Sequence, residues 1–304
     1  MNPESPRARN PGPTWGYAFL SWAEQWWPRW IFRPALMAGT WIGLAGLPAQ
    51  RAHSRAYLAV VLGRPPRLIE VWRHFFAFTE FLLRMLRVGR GATARRELTG
   101  EHAAEFQALL DSGRPALFGT FHFGCSDLLG YFLGERGRRV AIVRHRVDNS
   151  EETRRLGGRF GRNVSFLWVN DAPQLIFALK TAFDEGESLA LKCDRLEFSA
   201  KAEAFEFLGA RRLFPFTIYH LGLLFGRPVA FCTAVPGRGP DDLLVFASPV
   251  FEPDPAAGRD ANLARARRHF QAVLAHLETL VRQNPLLWFN FLPLNPPAPP
   301  AGAD

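Results

Sequence analysis

The residues best suited to chemistry lie in Thr120-Phe121-His122-Phe123-Gly124-Cys125-Ser126-Asp127, where an apolar run meets a histidine, a glycine and then an acid. An imidazole held by a carboxylate stays in the tautomer that accepts a proton, so His122 paired with Asp127 can activate a hydroxyl nucleophile. Five helical residues would set the two side chains about 140° apart, so they meet only if the chain turns between them. Gly124 permits that turn. The same residues also fit a structural histidine at a strand end and an acid that caps the following helix. Cys125, among apolar neighbours, reads as a buried, inert thiol rather than a nucleophile.

For His122 to act, it must stand at the carboxyl end of a strand, where open α/β sheets bind ligands. The sequence from about Gly100 to Leu292 has the required texture, with short apolar runs alternating with amphipathic stretches. Strands are expected at Ala116–Phe121, Val140–Val143, Val164–Trp168, Ser188–Lys192, Pro228–Val235 and Leu243–Phe251. Helices are expected at His102–Leu110, Asp127–Leu133, Glu151–Phe160, Pro173–Phe183, Phe216–Phe225 and Arg259–Gln283. The last of these carries a stripe of Leu263, Phe270, Val273, Leu277 and Leu280 that would pack on the sheet. The predicted fold is α/β, a mixed central sheet flanked by helices, preceded by a helical N-terminal region. Residues 14–99 form that region, 100–294 the α/β domain, and the Pro-rich ends 1–13 and 295–304 are expected to be unstructured.

With 304 residues, 48% hydrophobic and 21% charged, the chain suits one large domain or two modest ones and excludes a polytopic membrane protein. Its three cysteines (Cys125, Cys193, Cys232) form no CxxC pair or Cys/His cluster, so neither a disulfide framework nor a metal site is expected. The formal charge of +9 is unevenly placed: residues 1–100 hold 14 Arg and 5 Glu, and the remainder balances 23 basic against 23 acidic groups. Six of the nine Trp (Trp15, Trp22, Trp26, Trp27, Trp30, Trp41) crowd into residues 15–41 of that stretch. Indole rings favour the headgroup level of a bilayer and arginines pair with lipid phosphates, so these residues point to a membrane surface. The uncharged run Pro34–Gln50 is 17 residues, at the lower limit for a span of roughly 17–25. The expected anchor is therefore monotopic or single-span, on the cytoplasmic face of the inner (plasma) membrane, with no cleaved signal peptide.

Taken in order, several blocks resemble the lipid A biosynthesis acyltransferases, the late lauroyl/myristoyl transferases among the HxxxxD/E membrane acyltransferases. They are Arg51–Gly63, HFGCSD at His122–Asp127, Asn149–Phe160, Cys193-Asp194-Arg195, Phe207–Phe216 and NPLLWFNF at Asn284–Phe291. The acid of the first motif is Asp127 rather than Glu, and Arg195 follows Asp194; with the WFNF ending, these departures resemble the aryl polyene or other glycolipid branch as well. The resemblance implies a glycerol-phosphate-acyltransferase-like fold, with His122 as general base, Asp127 as its orienting acid, and Arg159 and Asp194 as further site residues. It also implies an acyl carrier protein thioester, or acyl-CoA, as donor, a glycolipid acceptor and no cofactor.

An FPEGTRS-like phosphate block is missing, which makes lysophosphatidate the poorer acceptor. In its place stand Gly209, Arg211, Arg212 and Pro215, a turn whose arginines either meet a phosphate or carrier protein or face solvent. Backbone N–H groups near Gly124, Arg159 or Arg195 would meet the oxyanion. Phe75, Phe76, Phe78, Phe81, Leu82 and Leu83 either wall an acyl groove or pack against the α/β domain. Two rival readings are a catalytically silent membrane scaffold of the same fold and a nucleic-acid-binding protein; the ordered blocks give the second no support, and nucleic acid is not an expected partner.

Overall fold

The computed structural model describes residues 14–93, 95–144, 160–169, 172–196, 199, 201–289 and 291–295. In chain order its strands are β1 (Arg96–Thr99), β2 (Leu117–Thr120), β3 (Val140–Arg144), β4 (Val164–Trp168), β5 (Ser188–Lys192), β6 (Ala202–Phe207), β7 (Ala210–Pro215), β8 (Val229–Pro236) and β9 (Leu243–Ala247). Seven of them form one sheet in the order β1-β9-β8-β2-β5-β3-β4, and β6 and β7 form a separate pair. β2 lies between β8 and β5 and is parallel to both, while β9 runs antiparallel to β8, so the sheet is mixed.

Strands buried on both faces read as continuous apolar runs, and β2 is buried along its whole length. Its successive side chains part to opposite faces. Leu117, with Leu189, Val229 and Phe231, packs on the face that receives Phe270, Leu274 and Leu277 of the helix Arg259–Gln283. Phe118, with Ala190, Ala230 and Cys232, packs on the face that receives Phe106, Leu109, Leu129 and Phe132. The helix bearing the Leu263–Leu280 stripe has the expected limits, and the whole stripe is buried.

The helices are α1 (Thr14–Trp26), α2 (Arg29–Gly46), α3 (Pro48–Leu62), α4 (Leu68–Gly89), α5 (Ala103–Asp111), α6 (Leu129–Glu135), α7 (Ala172–Asp184), α8 (Thr217–Phe225) and α9 (Arg259–Gln283). A 3₁₀ turn, Ser126–Leu128, precedes α6. The expected helix Glu151–Phe160 lies outside the described residues except for Phe160.

Four expectations are corrected. The run Pro34–Gln50 is divided between α2 and α3 at Leu47, because a residue preceding proline is pushed out of the helical region. Among the described residues no helix is long and apolar enough to cross a membrane. Second, Tyr57, Leu58, Val71, Trp72 and Phe75 of α3 and α4 belong to the same core as β2 and α9, so no boundary between cores falls near Gly100. Phe75, Phe81 and Leu83 are buried, giving this stripe a packing role. Third, the block expected to turn from Gly209 to Pro215 turns only at Leu208 and Gly209, whose φ of 52° and 74° are the signs of a two-residue primed turn; Ala210–Pro215 is the second strand of a β-hairpin. Fourth, Asn295, the first residue of the expected tail, is buried and hydrogen-bonded; residues 296–304 lie outside the described set.

The α1–α2 pair turns much of its apolar surface outward. Trp15, Trp26, Trp30 and Ile42 are each more than 70% exposed, and Phe19, Trp22, Met37 and Trp41 are exposed with them. Glu24 fixes α1 to α4 through Arg87 at 2.6 Å and Arg90 at 2.5 Å.

Candidate active site

β2 ends at Thr120, and two residues later His122 emerges at the carboxyl edge of the sheet. Thr120 is paired with Lys192, the last residue of β5, so Asp194 lies level with His122, two residues beyond the neighbouring strand. Asp194 binds His122 twice. The ring Nδ1–H donates to Oδ1 at 2.7 Å and the main-chain N–H donates to Oδ2 at 2.8 Å. Because an ionised carboxylate only accepts, the imidazole proton belongs on Nδ1, and Nε2 keeps a lone pair. No hydrogen bond engages Nε2 among the described residues. The His122 side chain is 18% exposed and that of Asp194 is fully buried, so the pair has an anchored end and an open end.

This corrects the expected brace. Asp127 makes no hydrogen bond with His122 among the described residues; its Oδ2 pairs with Lys192 Nζ at 3.2 Å, and the same ammonium donates to Phe121 O at 3.1 Å. The chain does turn at Gly124, with φ 58°, and a Cβ there would meet Ala234 O at 2.0 Å, so only glycine fits. The turn leads into the Ser126–Leu128 3₁₀ turn and carries Asp127 toward Lys192 instead.

Charge reinforces this arrangement. Burial pushes the His122 imidazole down to about 4; the neighbouring Asp194 opposes that fall, while Lys192 and Arg195 add to it. The ring is therefore neutral at pH 7. Burial raises the Asp194 carboxyl, but His122, Lys192 and Arg195 outweigh it and hold the group at about 2. Asp127 also has a lowered pKa, with Lys192 the main favourable charge working against burial. Together these form a neutral base with its carboxylate on one side and an ammonium–carboxylate pair beside it.

The other expected site residues divide. Asp194 and Arg195 are brought to His122. Arg159 lies outside the described residues. Gly209 is a hairpin turn residue and Arg211 is exposed beside it. Arg212 is buried, and its guanidinium donates to the main chain at Phe207 O, 3.2 Å away, and Asn295 O, 3.0 Å away. The main-chain donors at the turn are also occupied: Gly124 N–H binds Leu287 O and Cys125 N–H binds Ala234 O, each at 2.7 Å, so neither is available to an oxyanion. Burial pushes the Cys125 thiol up, as suits an inert cysteine. Among the described residues no group of three or more His, Cys, Asp or Glu is placed to hold a metal ion.

Lys192 escaped the sequence reading. Its signal was substitution type, since only three lysines accompany 34 arginines in this chain and one of them closes a predicted strand one position before Cys193-Asp194.

No family model matches the chain, and no curated protein matches it. Among solved structures, the 1-acyl-sn-glycerophosphate (LPA) acyltransferase PlsC from Thermotoga maritima aligns over 82% of this chain and 98% of its own, with 12% identity and a TM-score of 0.37.

Proposed function

We propose that this chain is an acyltransferase that moves a fatty acyl group from an acyl carrier protein thioester, or acyl-CoA, to a hydroxyl of a lipid A-like or other glycolipid. The observation that carries the reading is the doubly bonded Asp194–His122 pair, which leaves a neutral Nε2 partly open at the end of β2. The ordered motifs around His122, Asp194 and the closing NPLLWFNF support it from the sequence.

In the proposed reaction His122 Nε2 takes the acceptor's hydroxyl proton as the oxygen attacks the thioester carbonyl carbon. A C–O bond forms and the carbonyl π-electrons move onto oxygen. Asp194 stabilises the resulting imidazolium through the Nδ1–H bond. Lys192 is the charged donor that meets the oxyanion: an ammonium has three N–H groups, and two of them serve Asp127 and Phe121 O. Asp127 orients that ammonium. Collapse of the intermediate breaks the C–S bond, and the imidazolium returns its proton to the departing thiolate, which restores the neutral ring.

The acceptor and an acyl chain are membrane components, and the outward apolar face of α1 and α2 supports docking on a membrane surface, here taken as the cytoplasmic face of the inner membrane. Lipid mass spectrometry of cells with and without the gene tests the whole reading. A species that is one acyl chain heavier only when the gene is present is the expected result. Identical lipid profiles would remove the proposal.

A further inference from the structure

The sequence after α9 contains Pro285 and Pro293, which bar a continuing helix and leave residues 284–289 and 291–295 with main-chain groups to satisfy. Two of their hydrogen bonds reach the main chain of the proposed dyad, one at each member. Phe289 N–H donates to His122 O at 2.6 Å, and Leu287 O accepts from Gly124 N–H at 2.7 Å, so Trp288 forms an antiparallel bridge with Phe123. Farther along, the Asn295 side-chain amide donates to Asp194 O at 3.1 Å and to Leu213 O at 2.8 Å. The Asn295 carbonyl in turn accepts from the buried Arg212.

The outer side of the same segment is held by α3 and α4. Tyr57 Oη donates to Pro285 O at 2.9 Å, and His74 Nε2 donates to Trp288 O at 2.7 Å while its Nδ1 accepts from Ser54 Oγ at 2.8 Å. The ring of Phe291 stacks on His74 with centroids 4.7 Å apart, and Phe289 stacks on Phe81. A segment that only filled space would need to bury its side chains. This one also binds the carbonyls of His122 and Asp194 themselves.

From these contacts we infer that residues 284–289 and 291–295 are a positioning strap for the His122–Asp194 pair, with Asn295 as a positioning residue that sets Asp194 and, through it, the His122 ring. Main-chain bonds at Leu287 and Phe289 fix the histidine side, and the Asn295 amide fixes the acid side. The strap makes alignment of the dyad depend on the helices α3 and α4. For its effect on turnover, the inference rests on the acyl-transfer reading; for the geometry of the pair it does not.

The test is NMR of the full chain labelled with ¹⁵N-histidine, which observes the His122 Nδ1–H without any substrate. The downfield proton is assigned by its loss in Asp194→Ala. Asn295→Leu keeps the volume of the side chain but removes both amide donors, and should shift or broaden the His122 resonance. With acyl-CoA as donor and a glycolipid extract as acceptor, it should also lower kcat about tenfold to a hundredfold with KM within twofold, the scale of a small misplacement of reacting groups. An unchanged His122 resonance would overturn the strap. If Asn295→Leu does not fold, Tyr57→Phe removes only the hydroxyl that holds Pro285, and the same resonance decides: displacement supports the inference and an identical signal defeats it. Should the wild type transfer no acyl group while its resonance responds to these changes, the function proposal fails and the positioning role stands.

Discussion

Asp194 holds His122 by both its main-chain N–H and its ring Nδ1–H, through separate oxygens of one buried carboxylate. The two hydrogen bonds fix backbone and ring together, so the imidazole cannot rotate without breaking a contact to a fully buried charge. In Asp194→Asn the amide nitrogen can donate to Nδ1, which would force the ring proton onto Nε2 and leave no base facing the acceptor. Turnover should fall by roughly 10³–10⁴-fold with substrate affinity little changed, as seen when an orienting acid is replaced by its amide in a serine protease triad. Steady-state kinetics of the purified variant check this; turnover within tenfold of wild type would count against Asp194 as the brace.

Asp127 is assigned to Lys192, and the two should behave differently from Asp194. Asp127→Asn removes the partner that orients the ammonium, and a loss of about tenfold in kcat is expected, well below the loss for Asp194→Asn. Lys192→Met removes a positive charge that helps depress the His122 pKa. Its acid limb in a kcat/KM profile should therefore move to higher pH than in the wild type, in addition to any loss of rate. An acid limb at an unchanged or lower pH would contradict the placement of Lys192.

Acid should destabilise the fold through two histidines. His74 and His122 are both depressed by burial from 6.5 to about 4, and His74 is almost completely inaccessible. Between those values the unfolded chain binds more protons than the native one, so stability rises with pH from about 4 to 6.5 and is fully present above that window. Each group adds a slope of up to about 1.4 kcal/mol per pH unit there. Denaturant melts at pH 7.5, 6 and 5 read this directly, and His74→Gln should flatten the dependence.

Much of the sheet was legible in the sequence because parallel strands buried on both faces are short unbroken apolar runs, as in Leu117–Thr120 and Ser188–Lys192. The hairpin 202–215 was not recognised, although Glu203, Phe205 and Phe207 alternate with residues of the other face; its turn uses Leu208, a residue type seldom found at positive φ. β1 is only four residues at the sheet edge. His122 stood out by its position at a strand end. Its partner could not be found from local spacing, because Asp194 is 72 residues away and meets His122 only through the register that sets Thr120 beside Lys192. Asp127, five positions from His122, was the nearer acid in sequence and belongs to a different contact in space.

Membrane docking is best tested without deleting the N-terminus, because Phe32 and Leu36 pack against Leu83, and Glu24 pairs with Arg87 and Arg90. The exposed rings offer a cleaner change. Replacing Trp15, Trp26 and Trp30 together by Ser should lower binding to anionic phospholipid vesicles at least tenfold, while the melting temperature stays within a few degrees. Vesicle co-sedimentation at fixed salt gives the answer, and retention equal to wild type would place the membrane contact elsewhere.

The central claim is that the neutral His122 ring removes a proton from an acceptor hydroxyl. Its most direct test is single-turnover transfer of a radiolabelled acyl group from its thioester to a glycolipid extract, comparing the wild type with His122→Ala at pH 7.5. The account predicts labelled lipid with the wild type and a rate lower by roughly 10²–10⁴-fold with the variant, the range attributed to a general base. Equal rates for the two proteins would contradict it.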